Sequence, residues 1–194
     1  MKVIGLTGPS GAGKTIVAQM LDLPVINADS IARQVHKDPE VLARLCERFG
    51  EDIARGGMLN RTLLASRAFA DPQSTADLNA ITHPKIIERI HQALASLTLD
   101  GTPCCVLDAP LLFEAGANTM CAVTVAVLAD RDMRKNRIVE RDGITAERAQ
   151  QRIDAQPDDA FYLERCDHVI RNNGRISDLH AAVQALRPTL IQPE

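Results

Sequence analysis

The sequence predicts an α/β fold, a parallel β-sheet with helices on both faces. Five short apolar runs recur along the chain, at residues 3–7, 25–26, 104–107, 122–128 and 168–170. They lack the in–out alternation of a half-exposed strand, as strands covered on both faces do. Helical patterns fill the intervals between them, the order expected of a parallel sheet. A chain of 194 residues with 45% hydrophobic content can bury the core that such a sheet requires.

The first run, VIGLT at 3–7, reads as a buried strand, and residues 16–21 begin a helix. Between them lies GPSGAGKT, Gly8 to Thr15, which fits G-x-x-x-x-G-K-[ST] in the strand–loop–helix setting that motif needs. Its glycines let the backbone wrap an anion, and the helix N-terminus adds a favourable dipole. The backbone of Gly8, Ser10, Gly11, Ala12 and Gly13 would then cradle the phosphates of a nucleoside triphosphate. Lys14 would reach the β- and γ-phosphates, and the Thr15 hydroxyl would ligate magnesium.

The second run leads into Asn27-Ala28-Asp29-Ser30. Ligands of open α/β sheets gather at the carboxyl ends of strands, so Asp29 is placed to orient and deprotonate an acceptor hydroxyl, or else to cap a helix starting at Ser30. Residues 30–99 are mostly helical and too long for a simple crossover, so we expect a helical acceptor-binding insertion there. Within it Pro84 suits a helix start, with Ile86, Ile87, Ile90, Leu94 and Leu97 on one apolar face. His83, just before that proline, reads either as a cap or surface residue or as part of a site.

The third run ends in Asp108, as CCVLD. That is the shape of a strand whose terminal carboxylate holds magnesium directly or through water, and equally of many buried strands that end in Asp. Beyond the fourth run, Arg134, Arg137 and Arg141 stand at i, i+3 and i+7, on one face of a helix. They could grip phosphates or pair with the neighbouring Asp132, Glu140 and Asp142 in solvent.

Composition excludes several classes. A net charge of −3 without blocks of like charge argues against obligatory nucleic-acid binding, and one Tyr, four Phe and no Trp leave few stacking platforms. The five cysteines include no C-x-x-C pair, and Cys104 and Cys105 should point to opposite faces of a strand, as reduced core thiols of a cytoplasmic protein. The first strand starts almost at Met1, which leaves no room for a signal peptide, and the apolar stretch near 120–129 is too short to span a bilayer.

Over nearly its whole length the chain resembles the dephospho-CoA kinases. The matching stretches are IGLTG through Lys14-Thr15, Asn27-Ala28-Asp29, LNAITHP at 78–84 and DAPLLFE at 108–114, followed by RIVERDG at 137–143, RIDAQ at 152–156 and DHVIRN at 167–172. The phosphate loop alone marks only the broad P-loop group. The His-Pro, Pro-Leu-Leu-Phe-Glu and Arg-x-x-x-Arg-Asp elements in this order are specific. The resemblance implies an adenylate-kinase-like core with a five-stranded parallel sheet, a helical CoA-binding insertion and a helical lid at about 131–165. It implies transfer of the ATP γ-phosphoryl group, with Mg2+, to the ribose 3′-hydroxyl of dephospho-CoA, the last step of coenzyme A synthesis. Asp29 would be the base or hydroxyl-orienting group. Arg137 and Arg141 would come from the lid, one near adenine and one near the phosphates, with Arg141 counted as catalytic beside Lys14. Asn172 would lie on the ATP side, and His83, Asp108 and Leu111 on the acceptor side. A monomer or weak homo-oligomer without nucleic-acid or membrane partner is expected.

Two departures stand out. The family often has Asp where this chain has Asn27, and the link Asp22-Leu23-Pro24 is short and lacks the common Gly. The alternatives are another small P-loop kinase, acting on a nucleotide, shikimate or gluconate, and a nucleotide-dependent switch. The His83-Pro84 and 110–114 elements count against the first, and the absence of N-K-x-D against a guanine-reading switch.

Overall fold

A computed structural model describes residues 1–55 and 58–192. Two compact units emerge, one of Met1–Asn27 with Thr98–Glu194 and one of Ala28–Leu97. All five apolar runs are strands of one parallel sheet in the first unit. In chain order they are β1 (Lys2–Thr7), β2 (Val25–Asn27), β5 (Cys104–Asp108), β6 (Val123–Leu128) and β7 (His168–Arg171). Their spatial order is β2-β5-β1-β6-β7. The chain runs from β1 to one edge and later crosses to the other, so the switch point lies beside β1, where α/β sheets bind ligands.

The strands are buried on both faces, and successive side chains alternate between two layers. Ile4, Leu6, Val106, Val125 and Val127 share a core with Val17 and Leu21 of α1 (Lys14–Leu21) and Leu179 and Val183 of α9 (Ile176–Ile191). Ala126 and Leu128 instead pack with Tyr162 of α8 (Asp159–Leu163). Cys104 and Cys105 are both buried and all five cysteines are free thiols. Burial raises the pKa of Cys105 to about 11 and that of Cys121 to about 12, so these thiols stay protonated and inert. The remaining helices of this unit are α6 (Arg131–Asp142) and α7 (Ala146–Asp154).

The short link after α1 is closed by Asp22 in the left-handed conformation, φ 52° and ψ 50°, where glycine is usual. An Asp there keeps a Cβ strain that Gly lacks. Asp22→Gly is therefore expected to raise stability by about 0.5–1 kcal/mol in a denaturant titration, offset in part by the looser unfolded chain.

The second unit holds α2 (Ala28–Val35), α3 (Pro39–Phe49), a two-stranded antiparallel pair β3 (Ala54–Arg55) and β4 (Met58–Leu59), α4 (Arg61–Ala68) and most of α5 (Pro72–Leu99). The small antiparallel pair was not evident from the sequence. Val35, Leu45, Phe49, Ile53, Leu64 and Ile81 form the unit's own core. Two sequence expectations change here. α2 begins at Ala28 rather than Ser30, which puts Asp29 in its first turn. Pro84 does not start a helix but lies inside α5, two residues past Thr82, whose hydroxyl donates to Leu78 O at 2.9 Å. Tertiary packing carries this helix through the lost N–H. No helix among the described residues is long and apolar enough to cross a membrane.

Candidate active site

The phosphate loop connects β1 to α1. Gly8 has φ 133°, and a Cβ there would sit 2.2 Å from Val127 O of β6. Gly13 has φ 101°, and its Cβ would meet Asn172 Nδ2 at 2.3 Å. Both the backbone angle and the space require glycine at these positions. Lys14 turns back over the loop and donates from Nζ to Gly8 O at 2.7 Å.

Three consecutive loop carbonyls are gripped by side chains from other elements. Arg134 Nε donates to Ser10 O at 3.0 Å, Arg137 to Gly11 O at 3.3 Å, and Asn172 Nδ2 to Ala12 O at 2.8 Å. A second Arg137 nitrogen donates to Asn172 O at 3.0 Å, and Asn172 N–H is bonded to Leu128 O at 2.8 Å. In a trans peptide the following N–H points opposite to the carbonyl. Fixing these carbonyls therefore turns the N–H groups of Gly11, Ala12 and Gly13 away from the clamping side chains. The Ala12 N–H is taken by Pro9 O at 3.2 Å, within the loop itself.

The arginine stripe of α6 divides. Arg134 is 2% exposed and lies against the loop backbone. Burial holds its pKa below the usual value. Arg137 joins it. Arg141 lies two turns beyond Arg134 and forms a bidentate pair with Asp142, at 2.7 and 3.0 Å. Hydrogen bonding from Arg141 and then Arg152 lowers the pKa of Asp142 to about 2. This network therefore persists until the pH falls well below 4, where the carboxylate gains its proton.

Asp108, at the carboxyl end of β5, is buried and accepts from Asn27 Nδ2 at 3.0 Å. Asn27 thus supplies an amide donor to a carboxylate, where an Asp would bring a second acid. Leu111 is exposed, two residues after Ala109. In the second unit, Asp29 is exposed and no hydrogen bond holds its carboxylate among the described residues. His83 is half-buried within α5, and burial lowers its pKa. Thr15 is exposed in the first turn of α1.

Sequence reasoning assigned no site role to Gln156, which follows α7. Its Oε1 accepts from the Ser10 N–H at 3.0 Å and from Arg134 at 3.1 Å. Nothing in its spacing pointed to the loop, more than a hundred residues away.

A loop so built suits the phosphates of a nucleotide, and comparison decides which kind of protein carries it. The family model described as dephospho-CoA kinase matches residues 2–178. The chain belongs to the dephospho-CoA kinase family. A family member from Syntrophotalea carbinolica is 41% identical over 98% of this chain and 93% of its own length. Another, from Corynebacterium glutamicum, is 39% identical over 94% of each. The crystal structure of TT1252 from Thermus thermophilus superposes with a TM-score of 0.84 at 31% identity, covering 98% of both chains. Shikimate kinase from Acinetobacter baumannii shares the fold, with a TM-score of 0.56 at 14% identity over 97% of this chain and 94% of its own. Membership makes this chain an ATP-dependent kinase, and the P-loop core with its five-stranded parallel sheet is the fold of that group.

Proposed function

We propose that the chain transfers the γ-phosphoryl group of ATP to the ribose 3′-hydroxyl of dephospho-CoA, giving coenzyme A and ADP, with the residues below in the roles stated. The observation that supports the ATP half is the loop whose Ser10, Gly11 and Ala12 carbonyls are all tied from one side. The N–H groups of Gly11 and Gly13, with the N-terminus of α1, then serve the phosphate oxygens. Lys14 leaves Gly8 O for the bridge between the β- and γ-phosphates, where charge builds as the bond breaks.

Magnesium favours hard oxygen donors, and the Thr15 hydroxyl with the Asp108 carboxylate, directly or through water, are such donors at the two sides of the switch point. When bound, the ion neutralises phosphate charge. Asp29, two residues past the end of β2, orients the acceptor hydroxyl and takes its proton late, because phosphoryl transfer forms little bond to the incoming oxygen in the transition state. His83 and Leu111 serve the acceptor. The same proposal puts the enzyme in the cytoplasm as a monomer or weak homo-oligomer, without nucleic-acid or membrane partner.

Arg141 must exchange Asp142 for phosphate when the 131–165 segment closes. An exposed ion pair is worth about 0–1 kcal/mol, whereas a charge-assisted bond to phosphate is worth about 1.5–3 kcal/mol, so the exchange favours phosphate. Arg141→Lys, which keeps charge but loses the planar fork, is expected to lower kcat. Amide exchange over residues 131–152 should slow with a bound bisubstrate analogue. Unchanged exchange together with wild-type activity in the Lys variant would leave Arg141 as a surface residue.

ADP formation measured with and without dephospho-CoA, with the product identified by mass, tests the whole proposal. Turnover that ignores the acceptor would overturn it.

A further inference from the structure

Both backbone polar groups of Ser10 are held, one in each of its flanking peptides. Its N–H donates to Gln156 Oε1 at 3.0 Å, and its carbonyl accepts from Arg134 Nε at 3.0 Å. Arg134 also donates to the same Gln156 oxygen at 3.1 Å, which closes a ring of three hydrogen bonds. Because both partners of that oxygen are donors, the amide of Gln156 has only one workable orientation. Arg134 is a poor candidate for mere surface pairing. It is 2% exposed, and it forms no ion pair among the described residues. A guanidinium is costly to bury unless its N–H groups find acceptors, and here one loop oxygen and one glutamine oxygen take two of them. The two residues come from different places, Arg134 from α6 and Gln156 from the segment between α7 and α8, and they meet only at the phosphate loop.

We propose that Gln156 and Arg134 are positioning residues for ATP, setting the Ser10 peptide so that the next N–H groups of the loop meet the phosphates. This rests on the phosphate loop being the ATP site. Neither residue needs to touch the nucleotide. Gln156 also ties the end of α7 to the loop, so that movement of the α6–α7 segment is felt at Ser10.

What Gln156 supplies is an acceptor oxygen, and this makes the proposal testable. Arg134 is too deeply buried for its loss to separate folding from function, so the variants are made at half-buried Gln156. Gln156→Leu removes the acceptor while keeping the volume. It is expected to raise the KM for ATP roughly tenfold or more, as loss of bonds to a charged partner does. The KM for dephospho-CoA should stay within about twofold. Gln156→Glu offers a carboxylate oxygen to the same two donors, and its KM for ATP should stay within about threefold of wild type. Amide exchange at Ser10, read by NMR, should quicken in the Leu variant and stay slow in the Glu variant.

A Leu variant with unaltered KM for ATP overturns the assignment. So does a Glu variant whose KM for ATP lies nearer to the Leu variant than to wild type, since then the acceptor oxygen is not what matters. Wild-type and Lys14→Ala enzymes run alongside keep the two levels apart. If Lys14→Ala is inactive while the Leu variant is unaffected, only the Ser10 clamp fails. If Lys14→Ala is fully active, the ATP site itself is misplaced.

Discussion

Replacing Lys14 by Ala is expected to lower kcat by roughly 10³-fold in a protein that still folds. The ammonium donates to Gly8 O at 2.7 Å, so its stem folds back across the loop that the proposal gives to the phosphates. Phosphoryl transfer involves little covalent work by the protein, so loss of one charge at the β–γ bridge falls directly on the transition state. The structural cost is far smaller. Removing Lys14 takes one donor from a half-buried segment, about 0.5–1.5 kcal/mol, against a typical domain stability of about 5–15 kcal/mol. A normal melting curve with collapsed turnover is therefore the expected pair of results. Near-normal kcat in the folded variant would remove the loop from the chemistry.

The strands could be read from the sequence because burial on both faces leaves continuous apolar runs, and the loop because few sequences place two glycines and a lysine between a strand and a helix. The arginine stripe shows where such reading stops. Arg134, Arg137 and Arg141 share a helix face, but seven residues are roughly 10 Å of helix axis. Arg134 and Arg137 therefore meet the loop backbone while Arg141 meets Asp142. Face is a matter of spacing, whereas depth depends on where the helix crosses the sheet. Gln156 was invisible for a related reason, since a polar residue after a helix has no periodicity to betray its partner. Pro84 misled because a proline at a helix start and one inside a long helix have the same apolar flanks. Asp22 takes a glycine's conformation without a glycine, which only the backbone angles reveal.

Asp29→Asn is the substitution that carries the mechanism, and kcat is expected to fall by about 10²–10⁴-fold, the usual range for a general base. Asn keeps the size of Asp and much of its ability to hold a hydroxyl in line, but it cannot accept the proton. The KM for ATP should change little, because the proposal gives Asp29 to the acceptor. The competing role was a helix cap, for which Asn is nearly as good as Asp. In the structure α2 already begins at Ala28, so Asp29 stands inside the first turn rather than at the cap, and no hydrogen bond holds its carboxylate among the described residues. Stability should accordingly be almost unaffected, and a lost turnover would report on chemistry rather than on folding. The two roles predict opposite results from one variant: a cap tolerates the change in every assay, whereas a base loses kcat alone. Wild-type kcat in Asp29→Asn, with dephospho-CoA saturating, would end the catalytic assignment and send the search for the proton acceptor elsewhere.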